Sequence, residues 1–311
     1  MSASQGSPDN STQQDGDVAT LVTGHSRQPS LLSLLRRSPI GLIGTGIISL
    51  VIVLALISPY IVPHDPIRGN LRTRYKPPGF TGDDGATHLL GTDQLGRDIF
   101  SRILVGSRVS VLVGVVAVMI AGTIGVLYGL TSGFLGGRVD GFMMRICDAM
   151  LSIPFVIRVV AISGIVGPGL VTLILILGLS GWVTYARVIR GEVLKAREND
   201  YVLAAWSIGQ RPLWVVLHHI LPNVIASAIV LAALQVGITM LAESSLSFLG
   251  LGVKPPTVTW GIQLADGKSV INSAWWMTAY PGIAITITVL GVVFLGDWLR
   301  DSLDPNVRGR D

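Results

Sequence analysis

Long apolar stretches, broken by shorter polar ones, set the pattern of this chain. Residues 40–62 carry no charge over ~23 positions, enough at 1.5 Å per residue to cross a hydrocarbon core of roughly 30 Å. Stretches at 109–130, 142–166, 170–188, 223–242 and 280–299 are similarly long, and apolar around the whole helical turn rather than on one face. The pattern predicts an all-α, polytopic membrane protein with six transmembrane helices. A cleavable leader is not expected: the first stretch is too long, starts deep in the chain and lacks a small-x-small site before Pro63.

The polar segments divide the chain. Residues 1–30 are Ser, Gln, Gly, Asp and Thr with few large apolar side chains, which predicts a disordered cytoplasmic tail. Residues 31–62 are expected to form a short interfacial helix, with Arg36 and Arg37 at the lipid surface, followed by the first span. An external segment follows at 63–107, then a five-helix core at 108–301 with a cytoplasmic loop at 190–222, and a cytoplasmic tail at 302–311. An even number of spans puts both termini on one side. Arg138, the group Arg190, Lys195, Arg197 and Arg211, and the terminal Arg300, Arg308 and Arg310 favour the cytoplasm for that side. The segment 63–107 resists this assignment through Arg68, Arg72, Arg74, Lys76, Arg97 and Arg102. Asp65, Asp83, Asp84, Asp93 and Asp98 offset much of that charge, and long loops weigh little in the positive-inside rule.

Composition narrows the function. Half of the 311 residues are hydrophobic and 14% charged, against roughly 25% charged in an average soluble domain; mean hydropathy is +0.60. One cysteine, Cys147, excludes an internal disulfide and a cysteine metal cluster. The net charge of +4 is scattered between apolar runs without interleaved aromatics, which argues against nucleic acid. No phosphate-cradling loop is present: Gly41 to Gly46 lies inside a span without Lys, and Gly91 to Arg97 lacks both the Lys and the hydroxyl residue. The five histidines His25, His64, His88, His218 and His219 form no H-E-x-x-H pair, and no G-x-S-x-G motif occurs. Asp148 and Asp297 fall near cytoplasmic helix ends, where charge is tolerated, so an intramembrane protease is not supported. The chain is expected to be no enzyme and to hold no cofactor or metal. If ATP drives it, another chain binds that ATP.

The segment 198–222 reads as two short helices joined at Gly209. Asn199 or Asp200 suits the first N-cap, Pro212 the first turn of the second helix, and Pro222 its end. Such a hairpin would protrude into the cytoplasm. Ala204, Ala205 and Gly209 would let a partner's groove close over the backbone, with Leu203, Trp206 and Ile208 to fill pockets. This pattern resembles the cytoplasmic E-A-A loop of ABC import permeases: Ala204, Ala205, Gly209, Leu221 and Pro222 match in register, while Leu203 replaces Glu and His219 replaces Ile. A longer match starts at His88 and runs through Gly91, Thr92, Asp93, Gly96, Arg97, Asp98, Ser101 and Arg102 to Gly106-Ser107-Arg108. With Ala242-Glu243 through Gly252, Pro255-Pro256, Trp260-Gly261, Gly296-Asp297, Arg300-Asp301 and Asp304-Pro305, it resembles the C-type permease of the dipeptide/oligopeptide/nickel subfamily. The resemblance covers most of residues 40–308. It implies a type I ABC importer permease fold in the cell membrane, and a second, homologous permease subunit. It also implies two ATP-binding subunits that carry ATP and magnesium, an extracellular or periplasmic substrate-binding protein, and short peptides as substrate. Nickel chelates and glutathione-like solutes remain open as alternative cargo. An ATP-independent channel or secondary carrier is the rival class; it would need mid-span acids, and Glu243 is the sole candidate.

Single residues carry further expectations. Asp93 with Arg97, and Asp98 with Arg102, are four apart and suit two ion pairs on an exposed external helix, serving either as a docking rim or as a solvated anchor. Arg158 falls near mid-span, where a cation must face protein or water; it and Glu243 are candidate pathway residues, Arg158 for a peptide carboxylate, unless it pairs with Glu243 or a partner subunit. Arg145 and Asp148 are spaced for a pair, Pro154 for a kink and hinge, and Trp275, Trp276 and Tyr280 for an interfacial belt. Gly125, Gly129, Gly133 and Gly137 recur every four residues, either as a helix-packing face or as common membrane glycines with a turn at the last.

Overall fold

The computed structural model describes residues 31–82 and 85–303. The tails at 1–30 and 304–311, with Asp83 and Asp84, lie outside these residues. Ser38 opens the first long helix by accepting the Gly41 N–H at 3.1 Å, and Pro39 fits the first turn, where no N–H is needed. The short α1 (Leu31–Arg37) thus passes directly into α2 (Pro39–Ile61). A loop carrying a two-strand hairpin, β1 (Phe80–Thr81) and β2 (Thr87–His88), leads to α3 (Ile99–Leu135). In that loop the N–H groups of Arg68 and Ile67 hold the Asp65 carboxyl below the usual carboxylate range. Then follow α4 (Gly137–Ser152), α5 (Phe155–Val166), α6 (Leu170–Arg197), α7 (Asp200–Ser207), α8 (Pro212–Val215), α9 (Leu221–Phe248), α10 (Trp260–Gly267) and α11 (Trp276–Leu303).

Among the described residues five helices are long and apolar enough to span a membrane, and the pair α4 and α5 makes a sixth if taken as one broken span. That pair is bent by 83°, with Pro154 extended at the N-cap of α5. The stretch 142–166 is therefore not a single kinked helix: proline disfavours helical backbone in the residue before it, and the chain turns at Ile153. α3 is longer than its apolar window. Its 37 residues span about 55 Å, and Ser101, Arg102, Ser107 and Ser110 continue the helix because they are buried against protein rather than lipid.

The tightest seam joins α3 to α6. A Cβ on Gly125 would fall 2.4 Å from the Trp182 carbonyl, and one on Gly129 2.6 Å from that of Ala186, so bare backbone is what lets these helices meet; Gly133 faces Val193 in the same way. Gly137 breaks the series, since it has φ +56° and open space around it. Further ion pairs hold α4 to α6. Asp140 takes a bidentate pair from Arg190 at 2.5 and 2.6 Å, and Asp148 pairs with Arg187 at 2.5 Å rather than with the neighbouring Arg145. Interhelix geometry, not spacing along one helix, decides that partner. Trp276 also departs from expectation: it is buried, with its indole N–H on the Thr92 carbonyl at 3.2 Å, whereas Trp275 is half exposed.

Candidate functional site

Two constellations, one charged and one largely apolar, occupy opposite ends of α3. At its start, Asp98 caps the helix: its Oδ2 accepts the Ser101 N–H and hydroxyl, both at 2.7 Å, and its Oδ1 lies 3.0 Å from His88 Nδ1. The expected pair with Arg102 does not form, because the cap turns Asp98 toward the loop. Arg102 points instead to Asp93 (3.6 Å) and Asp266 of α10 (3.3 Å), and donates to the Pro66 carbonyl at 3.2 Å. Arg97 does bind Asp93, at 2.6 Å, and it also reaches Asp266 at 3.4 Å. Asp93 and Arg97 lie in a turn before α3, not on a helix, with Asp93 Oδ1 accepting the N–H groups of Leu95 and Arg97.

Two guanidinium groups thus share two carboxylates, and Asp93, Arg97, Asp98 and Arg102 are all buried. Matched charges satisfy one another where water is absent, whereas losing one partner would strand the rest. Gly96 is required here: it has φ +72°, and a Cβ would meet the Asn70 carbonyl at 1.9 Å. Gly91 and Thr92 lie alongside, with Thr92 Oγ1 accepting the Lys76 N–H at 2.8 Å. Gln263 donates to the Arg102 carbonyl at 3.1 Å, and the Trp260 indole to that of Ile103 at 2.9 Å. Asp266 and Gln263 escape sequence reasoning, which offers Trp276 only as a belt residue, because the docking of α10 and α11 alone gives the three their roles. The one available signal is an acid in a short helix opened by Trp260-Gly261.

At the other end lies the hairpin of α7 and α8. Asn199 holds the N-cap position with extended backbone but makes no side-chain cap bond; its amide faces the Tyr201 hydroxyl. Gly209 has φ +77°, the left-handed turn that ends α7, and Pro212 opens α8. Pro222 does not end the second helix. A π turn at Val216–Ile220 carries the chain into α9, placing Pro222 in its first turn, where proline is tolerated. Val202, Ala205, Val215 and Ile220 are buried together with Ile189, Val193, Val224 and Leu130 of α6, α9 and α3, and Leu221 packs against this cluster. Ala205 therefore serves the hairpin's own core, while Ala204 faces outward. Outside stand Leu203 (50% exposed), Trp206 (46%), Ile208 (75%) and Leu213 (70%), an apolar surface on a segment that is otherwise well packed.

Arg158 and Glu243 do not meet. Glu243 is fully buried and accepts the Ser247 hydroxyl at 2.8 Å and that of Ser244 at 3.3 Å, both on α9 itself, so its carboxylate is satisfied within its own helix. Arg158 sits in the first turns of α5 with Nε and Nη1 buried and without a hydrogen-bond partner among the described residues. The remaining chemistry of note is at the loop end, where the donor atoms of His64, His88 and Asp98 come together.

The family described as binding-protein-dependent transport system inner membrane component matches residues 121–309, and the N-terminal TM domain of oligopeptide transport permease C matches 32–78. The dipeptide transport system permease DppC of Bacillus subtilis is 38% identical over 88% of this chain and 84% of its own length. The probable D,D-dipeptide transport system permease DdpC of Escherichia coli is 40% identical over 90% and 92%. The glutathione transport system permease GsiD of Shigella flexneri is 35% identical over 88% and 89%. Among solved structures, a chain of the MetNI methionine ABC transporter in inward-facing conformations superposes with a TM-score of 0.50 at 20% identity, covering 62% of this chain and 94% of that one.

Proposed function

The chain belongs to the binding-protein-dependent transport system inner membrane components, among the C-type permeases of the dipeptide and oligopeptide importers, and from that premise we propose that it forms half of a peptide-conducting pathway driven by separate ATPases. Both termini and the α7–α8 hairpin lie in the cytoplasm on this reading, and the loop 63–98 and α10 lie outside. A homologous permease completes the pathway, two ATPase subunits with ATP and magnesium bind beneath, and an external binding protein delivers the substrate. Short peptides are the cargo, with glutathione-like solutes the second reading on the strength of the glutathione permease relative.

One observation carries this reading: the hairpin buries one face in the bundle and leaves Leu203, Trp206, Ile208 and Leu213 without cover. Water-exposed apolar groups on a rigid, packed support suit a protein partner. Movement of that hairpin would pass into α3 and α6, because Leu130, Ile189 and Val193 share its core. α3 continues from there to the charged clamp at the opposite end, so an ATPase event has a stiff route to the outer loops.

The test is affinity purification of tagged chain from its own membrane, for wild type and Gly209→Trp. Recovery of a second permease with two ATPases, and loss of the ATPases from the variant, is the expected result. A chain that arrives alone or as a homo-oligomer would move an ATP-independent carrier into first place.

A further inference from the structure

We propose that His64, His88 and Asp98 form a binding site for one borderline divalent cation, of the zinc class, where the loop meets α3. The ligands come from three separate places: His64 follows the end of α2, His88 lies on β2, and Asp98 caps α3. One ligand atom from each lies within 4.8 Å of the other two. Asp98 is 3.0 Å from His88 Nδ1 and 3.7 Å from His64 Nδ1, and the imidazole rings stack with centroids 4.6 Å apart. The first of these distances is to Oδ1 and the second to Oδ2; bonds of about 2.0–2.2 Å in a tetrahedron put ligand atoms about 3.3–3.6 Å apart, so a set of atoms within 4.8 Å of one another needs only a small inward shift to close on an ion.

The orphaned atom points to the same place. His64 Nδ1 is buried and has no hydrogen-bond partner among the described residues, although the same ring lies beside a carboxylate. A buried imidazole nitrogen without a partner is costly, and a cation bound by that lone pair removes the cost. Asp98 is already oriented by two bonds from Ser101, the support that metal-binding carboxylates use. Two nitrogens and one oxygen suit zinc, nickel or cobalt far better than calcium or magnesium, which prefer all-oxygen ligands. Without the cation, one His88 tautomer donates Nδ1–H to Asp98. Binding takes the Nδ1 lone pair, so the ring's single proton passes by way of solvent to Nε2 and the imidazole stays neutral.

A cation here would staple the exit of α2, the β hairpin and the start of α3. This inference does not depend on the transport reading, because it is tested by metal content alone. The purified complex would be stripped with chelator, titrated with Co²⁺, followed by its visible absorption and then displaced with Zn²⁺. Wild type is expected to take up about one equivalent per chain with the intense bands of a low-coordinate cobalt site. His64→Ala, which removes an Nδ1 without a hydrogen bond among the described residues, and His88→Ala should each weaken binding by at least about tenfold. X-ray absorption of the zinc-loaded wild type should show two imidazoles per metal. Absent cobalt bands, unchanged affinity in both variants, or a metal shell without imidazole would each overturn the proposal.

Discussion

Arg97 and Arg102 donate to the same oxygen of Asp266, at 3.4 and 3.3 Å, and both also reach Asp93. Asp266 is one quarter exposed, so it is the open side of an otherwise buried quartet. It is also the sole member from outside the segment 91–102. The clamp therefore makes the docking of α10 a matter of charge balance.

Asp266→Asn leaves two buried guanidinium groups facing one carboxylate. Breaking a buried pair by removing one partner typically costs about 3–5 kcal/mol; the partial exposure of Asp266 places this variant near the lower end. Thermal unfolding of the purified complex should register a clear drop. Asp65→Asn, whose side chain is half exposed, should shift it much less.

Gly125→Ala tests the α3–α6 seam. The added carbon would sit 2.3 Å from Tyr185 Cβ and 2.4 Å from the Trp182 carbonyl, so the helices must part. Overpacking of this kind costs about 1–3 kcal/mol. Gly141→Ala, on α4 with no atom within 4 Å, is the control, expected to be neutral or stabilising by up to about 1 kcal/mol. Equal thermal stability of the two variants would show that the seam is not tight.

Ile208→Ser and Trp206→Ala remove apolar groups from the outer side of the hairpin and leave the side chains of Val202, Ala205, Val215 and Ile220 in place, the Trp206 change giving up only an edge contact with Phe134. Thermal stability should stay close to wild type, since exposed substitutions usually change it by no more than about 0.5 kcal/mol. ATPase retention on purification should fall by tenfold or more if the pair are anchors, each anchor being worth about 2 kcal/mol. Wild-type retention in the double variant would take the docking surface elsewhere.

Hydropathy locates the spans well because lipid reads only side chains: residues 40–62, 170–188 and 280–299 each fall on one long helix. It fails where protein replaces lipid as the environment. The first turns of α3 are polar yet helical, because Ser101 and Arg102 find partners inside the fold. The same limit governs ion pairs. Spacing of four brings Asp93 to Arg97 but not Asp98 to Arg102, since an N-cap uses up its carboxylate locally. The turn at Gly209 is legible from glycine and proline chemistry alone. The burial of Ala205, the π turn before Pro222 and the role of Asp266 depend on packing partners far along the chain.

Arg158 supplies the sharpest statement about cargo. Its Nε and Nη1 are buried without partners among the described residues, an arrangement that costs roughly 1–3 kcal/mol per group, and more where the group is charged, until a ligand or a second subunit supplies acceptors. On the pathway reading that acceptor is the terminal carboxylate of a peptide, which a guanidinium holds through paired, charge-assisted bonds. Wild type should then import a peptide with a free carboxyl terminus in preference to its C-terminal amide. A charge-assisted bond of about 1.5–3 kcal/mol corresponds to a preference of tenfold or more. Arg158→Leu should erase that preference without loss of assembly, and Arg158→Lys should keep part of it, having the charge but not the planar fork. If Arg158→Leu preserves the preference while the second permease is lost on purification, the guanidinium pairs with the partner subunit instead.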